Sequence, residues 1–404
     1  MSATRYDLII VGGGLVGGSL ARALGRAGLR VALVEALGTA ARSQPSYDER
    51  VLALSWGSRR ILEAMGLWDD LAPGAEPICR VHVSDRGHFG FVHLDGAEEG
   101  VPALGYVAPA RLIAQAIQAQ LDRVDIFCPA RLLGFHLQED RVEVEVASGG
   151  ESQLLSAALL VAADGGDSAI RQRLGFDALE RGYGHDAIIT TVTPDRPQPG
   201  VAFERFTDTG PLALLPMTEG RYSVVWTARE TETAAILGLD DRAFLDRLQA
   251  RFGYRLGGLA RPGRRLAYPL KLLLTRNPVR QRLVLIGNAA HTLHPVAGQG
   301  LNLGLRDVAA LAEVLVEGTR SGLDLGDAQL LKRYETWRSF DALTVMAATD
   351  SINRLFGVEG KAARSVRRFG LAAVQRFSPL KSFFMAEARG QGGDMPRLLQ
   401  GMPV

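Results

Sequence analysis

The chain has 404 residues, of which 47% are hydrophobic and 22% charged, with a formal net charge of +2. That length supports two or three packed domains around a substantial apolar core, and the near-neutral charge gives no electrostatic basis for nucleic-acid binding. The two cysteines, Cys79 and Cys128, form no close-spaced motif, which argues against a disulfide framework or a cysteine zinc site and fits a reducing compartment.

Residues 6–11 (YDLIIV) read as a buried strand, followed by a glycine-rich turn and an apolar-periodic helix to about residue 27. Residues 29–35 (LRVALVE) read as a second, parallel strand, so the chain opens on a β-α-β unit. A helix is expected over 58–72, a hairpin over 78–94 with its turn near 85–87, and a helix over 110–121. Strand-like stretches follow at 124–127, 142–146 and 159–163, and the pattern from 187 to 226 is β-rich. A helix over 240–252, a strand at 283–287, a long amphipathic helix at 301–316 and largely helical sequence after 329 complete the reading. The β-rich pieces interrupt the α/β pieces twice, so interleaved domains are expected. No charged-then-apolar leader is visible, and no apolar run approaches the roughly 18–20 residues of a spanning helix.

The first turn reads Gly12-Gly13-Gly14-Leu15-Val16-Gly17. In the dinucleotide template Gly12 permits the tight turn, Gly14 lets backbone approach a pyrophosphate, and Gly17 lets helix and strand pack closely. The helix start offers unpaired N–H groups and positive potential to phosphates. Glu35 ends the second strand 18 residues past Gly17, where a carboxylate accepts from ribose hydroxyls and repels a 2′-phosphate. The motif alone leaves FAD and NAD both open.

Two further segments bear on that choice. One is Ala163-Asp164-Gly165-Gly166-Asp167-Ser168-Ala169-Ile170-Arg171, after an apolar strand. The other runs Gly287-Asn288-Ala289-Ala290-His291 to Pro295, then Gly298-Gln299-Gly300-Leu301-Asn302-Leu303-Gly304, with Asp307 beyond. A strand ending at Gly287 lets Asn288 reach a ligand hydroxyl. The glycine-rich turn after Pro295 opens a long helix whose N-terminus would stabilise negative charge at the N1–C2 carbonyl side of a reduced flavin.

In order and spacing these three segments resemble the p-hydroxybenzoate-hydroxylase-type FAD monooxygenases, over nearly the whole chain. The resemblance implies an α/β fold: a Rossmann-like FAD-binding domain (1–75, 100–180 and 275–345) interleaved with a β-sheet substrate domain (76–99 and 181–274), then a helical C-terminal region (346–404). It implies that Gly12, Gly14, Gly17 and Glu35 hold the ADP half of FAD, that Asp164 and Gly165 serve FAD and NAD(P)H, and that Gly287 and Asn288 hold the ribityl chain. Pro295, Gly298, Gly300, Leu301 and Asn302 would line the isoalloxazine. The Asp48-Glu49-Arg50 match carries an FAD role to Arg50, and Arg111 is assigned near the pyrophosphate. The family usually has Asp where this chain has Asn288; an amide both accepts from and donates to a hydroxyl, so binding is expected to persist.

Within that family, residues 81–91 (VHVSDRGHFGF) and 202–216 (AFERFTDTGPLALLP) resemble the ubiquinone-biosynthesis branch, the 2-polyprenyl-6-methoxyphenol hydroxylases in particular. The implied reaction hydroxylates a polyprenylated phenol with O2 and NADPH or NADH, by way of a flavin hydroperoxide. The nicotinamide cofactor docks transiently, since no second strand-anchored glycine motif is present. Phe203, Phe206, Pro211, Leu212 and Leu214 read either as facing the substrate or as core. His291 and His294 read as structural or as lining the flavin and substrate site; no carboxylate or third ligand lies nearby in sequence, and no metal is expected. No catalytic acid or base stands out. Another ubiquinone-pathway ring hydroxylase of different regiospecificity, a polyprenyl reductase and a non-catalytic flavoprotein scaffold remain as alternatives, whereas Trp56, Trp68, Trp226 and Trp337 are too scattered for the Trp-x-Trp motif of flavin halogenases.

Residues 364–389 mix Arg364, Arg367, Arg368, Arg376 and Lys381 with Phe369, Phe377, Phe383 and Phe384. Such a stretch either packs on the first domain with a solvated basic face or seats on an anionic membrane or a partner of the biosynthetic complex. The expected location is cytoplasmic, peripheral to the inner face of the membrane.

Overall fold

A computed structural model of the protein describes residues 4–38, 50–86, 91–292, 299–339 and 395–404. Residues 87–90 of the expected 78–94 hairpin, His294, Pro295, Gly298 and the 364–389 stretch lie outside the described residues.

β1 (Thr4–Val11) runs through the glycine turn into α1 (Leu15–Arg26), and β2 (Val31–Val34) returns parallel to β1. β3 (Val51–Ser55) leads directly into α2 (Trp56–Ala64), capped by the Ser55 hydroxyl accepting from the Ser58 N–H. The expected 58–72 helix is therefore broken: Gly66 turns out with φ +74°, and one further turn forms at Trp68–Leu71. β4 (Glu76–Ile78), β5 (Arg80–Asp85), β6 (Phe91–Asp95) and β7 (Gly105–Pro109) precede α3 (Ala110–Gln118). Next come β8 (Val124–Phe127), β9 (Ala130–Leu137), β10 (Val142–Ser148), β11 (Glu151–Ala162) and the short α4 (Ala169–Arg173).

The β-rich stretch comprises β12 (Ala178–Pro194), β13 (Val201–Thr207), β14 (Gly210–Pro216) and β15 (Tyr222–Arg229), then α5 (Glu230–Leu237) and α6 (Asp241–Phe252). After β16 (Leu259–Ala260), β17 (Leu266–Thr275), β18 (Val279–Arg280), β19 (Leu283–Leu285) and β20 (His291–Thr292), the long α7 (Gln299–Arg320) begins. A further helix, α8, covers residues 328–339. The described part of the C-terminal region is a 3-10 turn at Arg397–Gln400, with Leu398 and Leu399 packed into the core.

The strands form an eight-stranded sheet, a nine-stranded sheet and a three-stranded sheet, β3-β7-β4. The spine of the first is β19-β11-β1-β2-β8, all parallel. Its central strands are apolar on both faces, as parallel strands packed between two layers are, while β8 at the edge exposes Asp125 and Ile126. Leu8 and Ile10 face a core shared with α1 and α7, while Ile9 and Val11 face a second core with Val144, Leu155 and Leu285. α7 is buried along nearly its whole length, the polar residues Asn302, Arg306 and Asp307 included.

The second sheet runs β20-β17-β12-β15-β14-β13-β5-β6. Strand alternation gives it two unlike faces. Phe203, Leu212, Leu214, Val224 and Trp226 pack against Phe244, Leu248 and Phe252 of α6 in a closed core. The opposite face carries Ala202 and Leu215, which pack on Ala53, Ile78 and Val107 of the three-stranded sheet and so look toward the first sheet's domain. Phe206 and Pro211, paired across β13 and β14, belong to this second face. This corrects the substrate-facing reading for Phe203, Leu212 and Leu214: hydrophobic alternation marks both faces of such a strand alike, and the covering helices decide which is sealed. Phe203→Ala should accordingly cost about 3–5 kcal/mol of stability in denaturant unfolding; a loss below about 1 kcal/mol would return Phe203 to the ligand side.

Candidate active site

β19, β11, β1 and β2 are neighbours and all parallel, so their carboxyl ends lie along one edge. Gly12 follows β1, Glu35 follows β2, Asp164 follows β11 and Gly287 follows β19. Segments far apart in sequence are thereby delivered to one crevice. Strand order reverses at β1, with β2 on one side and β11 on the other, which is where open α/β sheets bind ligands.

Close packing fixes two of the turn glycines. Gly12 adopts φ +103°, and a Cβ there would lie 2.3 Å from the Ala163 carbonyl oxygen; one at Gly17 would lie 2.0 Å from the Gly12 carbonyl oxygen. Gly14 differs: nothing lies within 4 Å of its Cβ position, and the N-terminus of α1 that it begins has no side-chain cap. Open space beside uncapped N–H groups is a seat for an anion. The Cβ positions of Gly165 and Gly300 are open as well, and Asp164 Oδ1 is buried without a hydrogen-bond partner among the described residues. These vacant backbones around one crevice fit an extended, phosphate-bearing dinucleotide.

Glu35 is buried, and its carboxylate accepts from the Gly13 N–H (2.7 Å) and the Leu37 N–H (2.7 Å). It therefore fastens the glycine turn to the end of β2. The Arg50 guanidinium lies 5.8 Å from the ring centroid of Tyr268 on β17, and so bridges toward the second sheet. Arg111 is exposed on the first turn of α3.

The third segment is held by buried polar groups. Gly287 adopts φ +57°, and Cβ atoms at Gly287 and Gly304 would lie 3.1 and 2.6 Å from the Val16 side chain, so α1 and α7 meet through Val16. Asp307 Oδ2 accepts from the Gly287 N–H (2.9 Å) and from His291 Nε2 (2.6 Å), and Oδ1 accepts from Arg338 Nε (2.8 Å). Burial alone would raise the Asp307 pKa; the charges of His291 and Arg338 and these hydrogen bonds outweigh it and hold it at about 2. His291 thus uses Nε2 on Asp307, and through β20 its backbone pairs with β17. An ionised carboxylate only accepts, so Nε2 carries the hydrogen and is not free for a substrate.

The Asn302 side chain is likewise held by buried polar contacts. Its Oδ1 accepts from the Ser55 N–H (2.8 Å) and the Ser58 hydroxyl (2.7 Å), and its Nδ2 donates to the Ala53 carbonyl (2.9 Å). The side chain pins the start of α7 to β3 and α2. Leu301 is half-buried against the first core, and Asn288 is exposed beside the crevice. Arg171, quoted in the second segment but given no role there, is buried: Nη1 donates to the Ala289 carbonyl (3.0 Å) and Nη2 to the Gly166 carbonyl (2.6 Å), joining the second and third segments. Among the described residues no group of three His, Cys, Asp or Glu is arranged to hold a metal ion.

Residues 5–349 match the family described as FAD binding domain. The chain is 41% identical to the ubiquinone hydroxylase UbiL of Rhodospirillum rubrum over 98% of its own length and 93% of that protein's. It is 32% identical to the 3-demethoxyubiquinol 3-hydroxylase of Escherichia coli K12, over 96% of this chain and 100% of that one. The crystal structure of the p-nitrophenol 4-monooxygenase PnpA from Pseudomonas putida DLL-E4 superposes with a TM-score of 0.78 at 21% identity, covering 97% of this chain and 99% of that one, a likeness of fold.

Gly14→Ala should fold normally and weaken FAD binding by about tenfold or more in fluorescence titration, whereas Gly17→Ala should cost at least about 1–3 kcal/mol of stability through the overlap with Gly12. Asp307→Asn should cost about 3–5 kcal/mol by leaving buried cations uncompensated. The Asp307 carboxylate titrates at about 2 against its ordinary 3.8, so the stability it contributes is complete above 3.8 and is lost as pH falls toward 2. Acid unfolding of the variant should lack that component.

Proposed function

The chain belongs to the FAD binding domain family of flavoprotein monooxygenases, and on that premise we propose that it hydroxylates a polyprenylated methoxyphenol in ubiquinone biosynthesis. The end-to-end likeness to a ubiquinone hydroxylase carries the substrate assignment. Bound FAD, reduced by NADPH or NADH, supplies the activation of O2, one atom of which enters the ring.

The protein's part is to hold and orient. Gly14 and the uncapped start of α1 would seat the pyrophosphate, with Arg50 and Arg111 adding positive charge and Glu35 taking the ribose. Asp164 and the Gly287–Asn288 turn would hold the middle of the cofactor. The backbone at Gly300 to Asn302, opening α7, would face the flavin's carbonyl side and stabilise its negative charge when reduced; Pro295 and Gly298 are assigned to the same turn from the family likeness. The second sheet's open face, with Phe206 and Pro211, would roof the crevice and keep water from the reacting ring.

A polyprenyl substrate resides in a membrane, and among the described residues no helix is long and apolar enough to cross one. The basic, aromatic stretch at 364–389 would supply a peripheral contact with the inner face of the membrane or with other members of the pathway. Deletion of the gene in its host, followed by mass spectrometry, tests the assignment. We expect loss of ubiquinone and accumulation of a prenylated phenol that lacks one ring oxygen, and the position of the missing oxygen gives the regiochemistry. Normal ubiquinone in the deletion strain would overturn the pathway assignment. In the purified protein, NADPH oxidation that yields no hydroxylated phenol would favour a reductase, and flavin that NADPH fails to bleach would favour a scaffold.

A further inference from the structure

We propose that Glu204, on β13, receives the phenolic hydroxyl of the substrate and takes its proton as the ring is oxidised; this rests on reading the chain as a phenol hydroxylase. The first support is position. Register places Glu204 beside Ala213 on β14 and Val83 on β5, on the same sheet face as Ala202 and Phe206. That is the face turned away from the sealed core of Phe203 and Trp226. Ala202 packs with Ala53, whose carbonyl accepts from Asn302 at the start of α7. Glu204 therefore lies on the wall that looks toward the helix start assigned to the flavin ring.

The second support is an unmet chemical need. Glu204 Oε1 is buried with no hydrogen-bond partner among the described residues, although the residue as a whole is partly exposed. Its strand neighbours on this face are Ala202, Phe206, Ala213 and Val83, so the carboxyl sits on an apolar floor. Burial pushes its pKa up to about 7, with no charged neighbour contributing. A lone buried carboxyl is unfavourable for folding, and an aliphatic residue would serve packing better. A phenol O–H aimed at Oε1 supplies the missing partner, and a pKa near neutrality suits a general base.

The step balances simply. The phenolic O–H bond breaks heterolytically, its proton passes to Glu204, and its electron pair stays on the oxygen and raises electron density at the ortho and para carbons. One of these carbons attacks the O2-derived oxidant supplied by the established activity: the C–O bond forms as the O–O bond breaks, the oxygen arrives with its hydrogen as a hydroxyl, and the second oxygen takes up a proton from solvent and leaves as water. The dienone formed tautomerises as its C–H proton moves to the ketone oxygen, and Glu204 returns its proton to solvent.

The test uses the FAD-loaded protein with 2-methoxy-6-geranylphenol and the methyl ether of that phenol as probes, and reads binding by equilibrium dialysis without NADPH. We expect wild type to prefer the phenol by about tenfold or more. Glu204→Leu should bind both probes alike and melt no lower than wild type. Glu204→Gln, which still accepts the O–H but cannot take the proton, should keep the preference while hydroxylation slows about 100-fold or more. A preference retained by Glu204→Leu, or wild-type turnover by Glu204→Gln, overturns the proposal. So does a wild type that binds the ether equally well; if that protein still hydroxylates the phenol, the hydroxylase reading survives and the role of Glu204 falls alone. Should Glu204→Leu fail to fold, the rate and preference of Glu204→Gln decide.

Discussion

Parallel pairing of β19, β11, β1 and β2 is the constraint from which the site follows. Parallel strands end on the same edge, so whatever follows each of them meets its neighbours there. The glycine turn, Glu35, the Asp164 segment and the Gly287 turn are brought together by sheet topology before any ligand arrives. Parallel pairing also demands strands apolar on both faces, and Leu8, Ile9 and Ile10 in succession satisfy that demand. The fold and the cofactor site thus share one cause.

Topology brings the loops near one another, and buried polar contacts hold them in place. Arg171 reaches between carbonyls in the second and third segments, 118 residues from one partner in sequence. Asp307 ties the Gly287 turn and His291 to α7 and α8, and Asn302 ties the start of α7 to β3. Each is costly to bury and stabilising only when its partners are present, so each specifies a single arrangement of the crevice. Loops held in advance lose little freedom when the cofactor binds, and donors already aimed at the flavin need not reorganise during the reaction.

The glycine turn and Glu35 were legible in the sequence because backbone geometry admits few residue types there: at Gly12 and Gly17 a single Cβ would collide with backbone. The long strands and helices were legible from periodicity. Side-chain allegiance was not. Asn302 stands in a motif associated with the ring, yet its amide serves three partners in β3 and α2 that lie more than 240 positions away. Phe203 and Phe206 look equivalent in sequence and belong to opposite faces. Short strands such as β3 and β7 escaped notice because their pairing is non-local. Asp307 did carry a signal, since a charge beside the apolar run that follows it must be compensated when buried, but its partners on α8 and at Gly287 are set by tertiary packing. Glu204 carried none: polar residues at alternate strand positions usually face water, and the burial of its Oε1 is set by tertiary packing.

The central claim is that separate backbone segments, assembled in advance, close on one FAD. Amide hydrogen exchange on the apoprotein, with and without FAD, tests it most directly. Slowed exchange is expected at Leu15 to Gly17, Gly165 to Gly166 and Gly300 to Asn302 together, at one stoichiometric equivalent, with the core strands unchanged. Protection confined to one of these stretches, or none at saturating FAD, would contradict it.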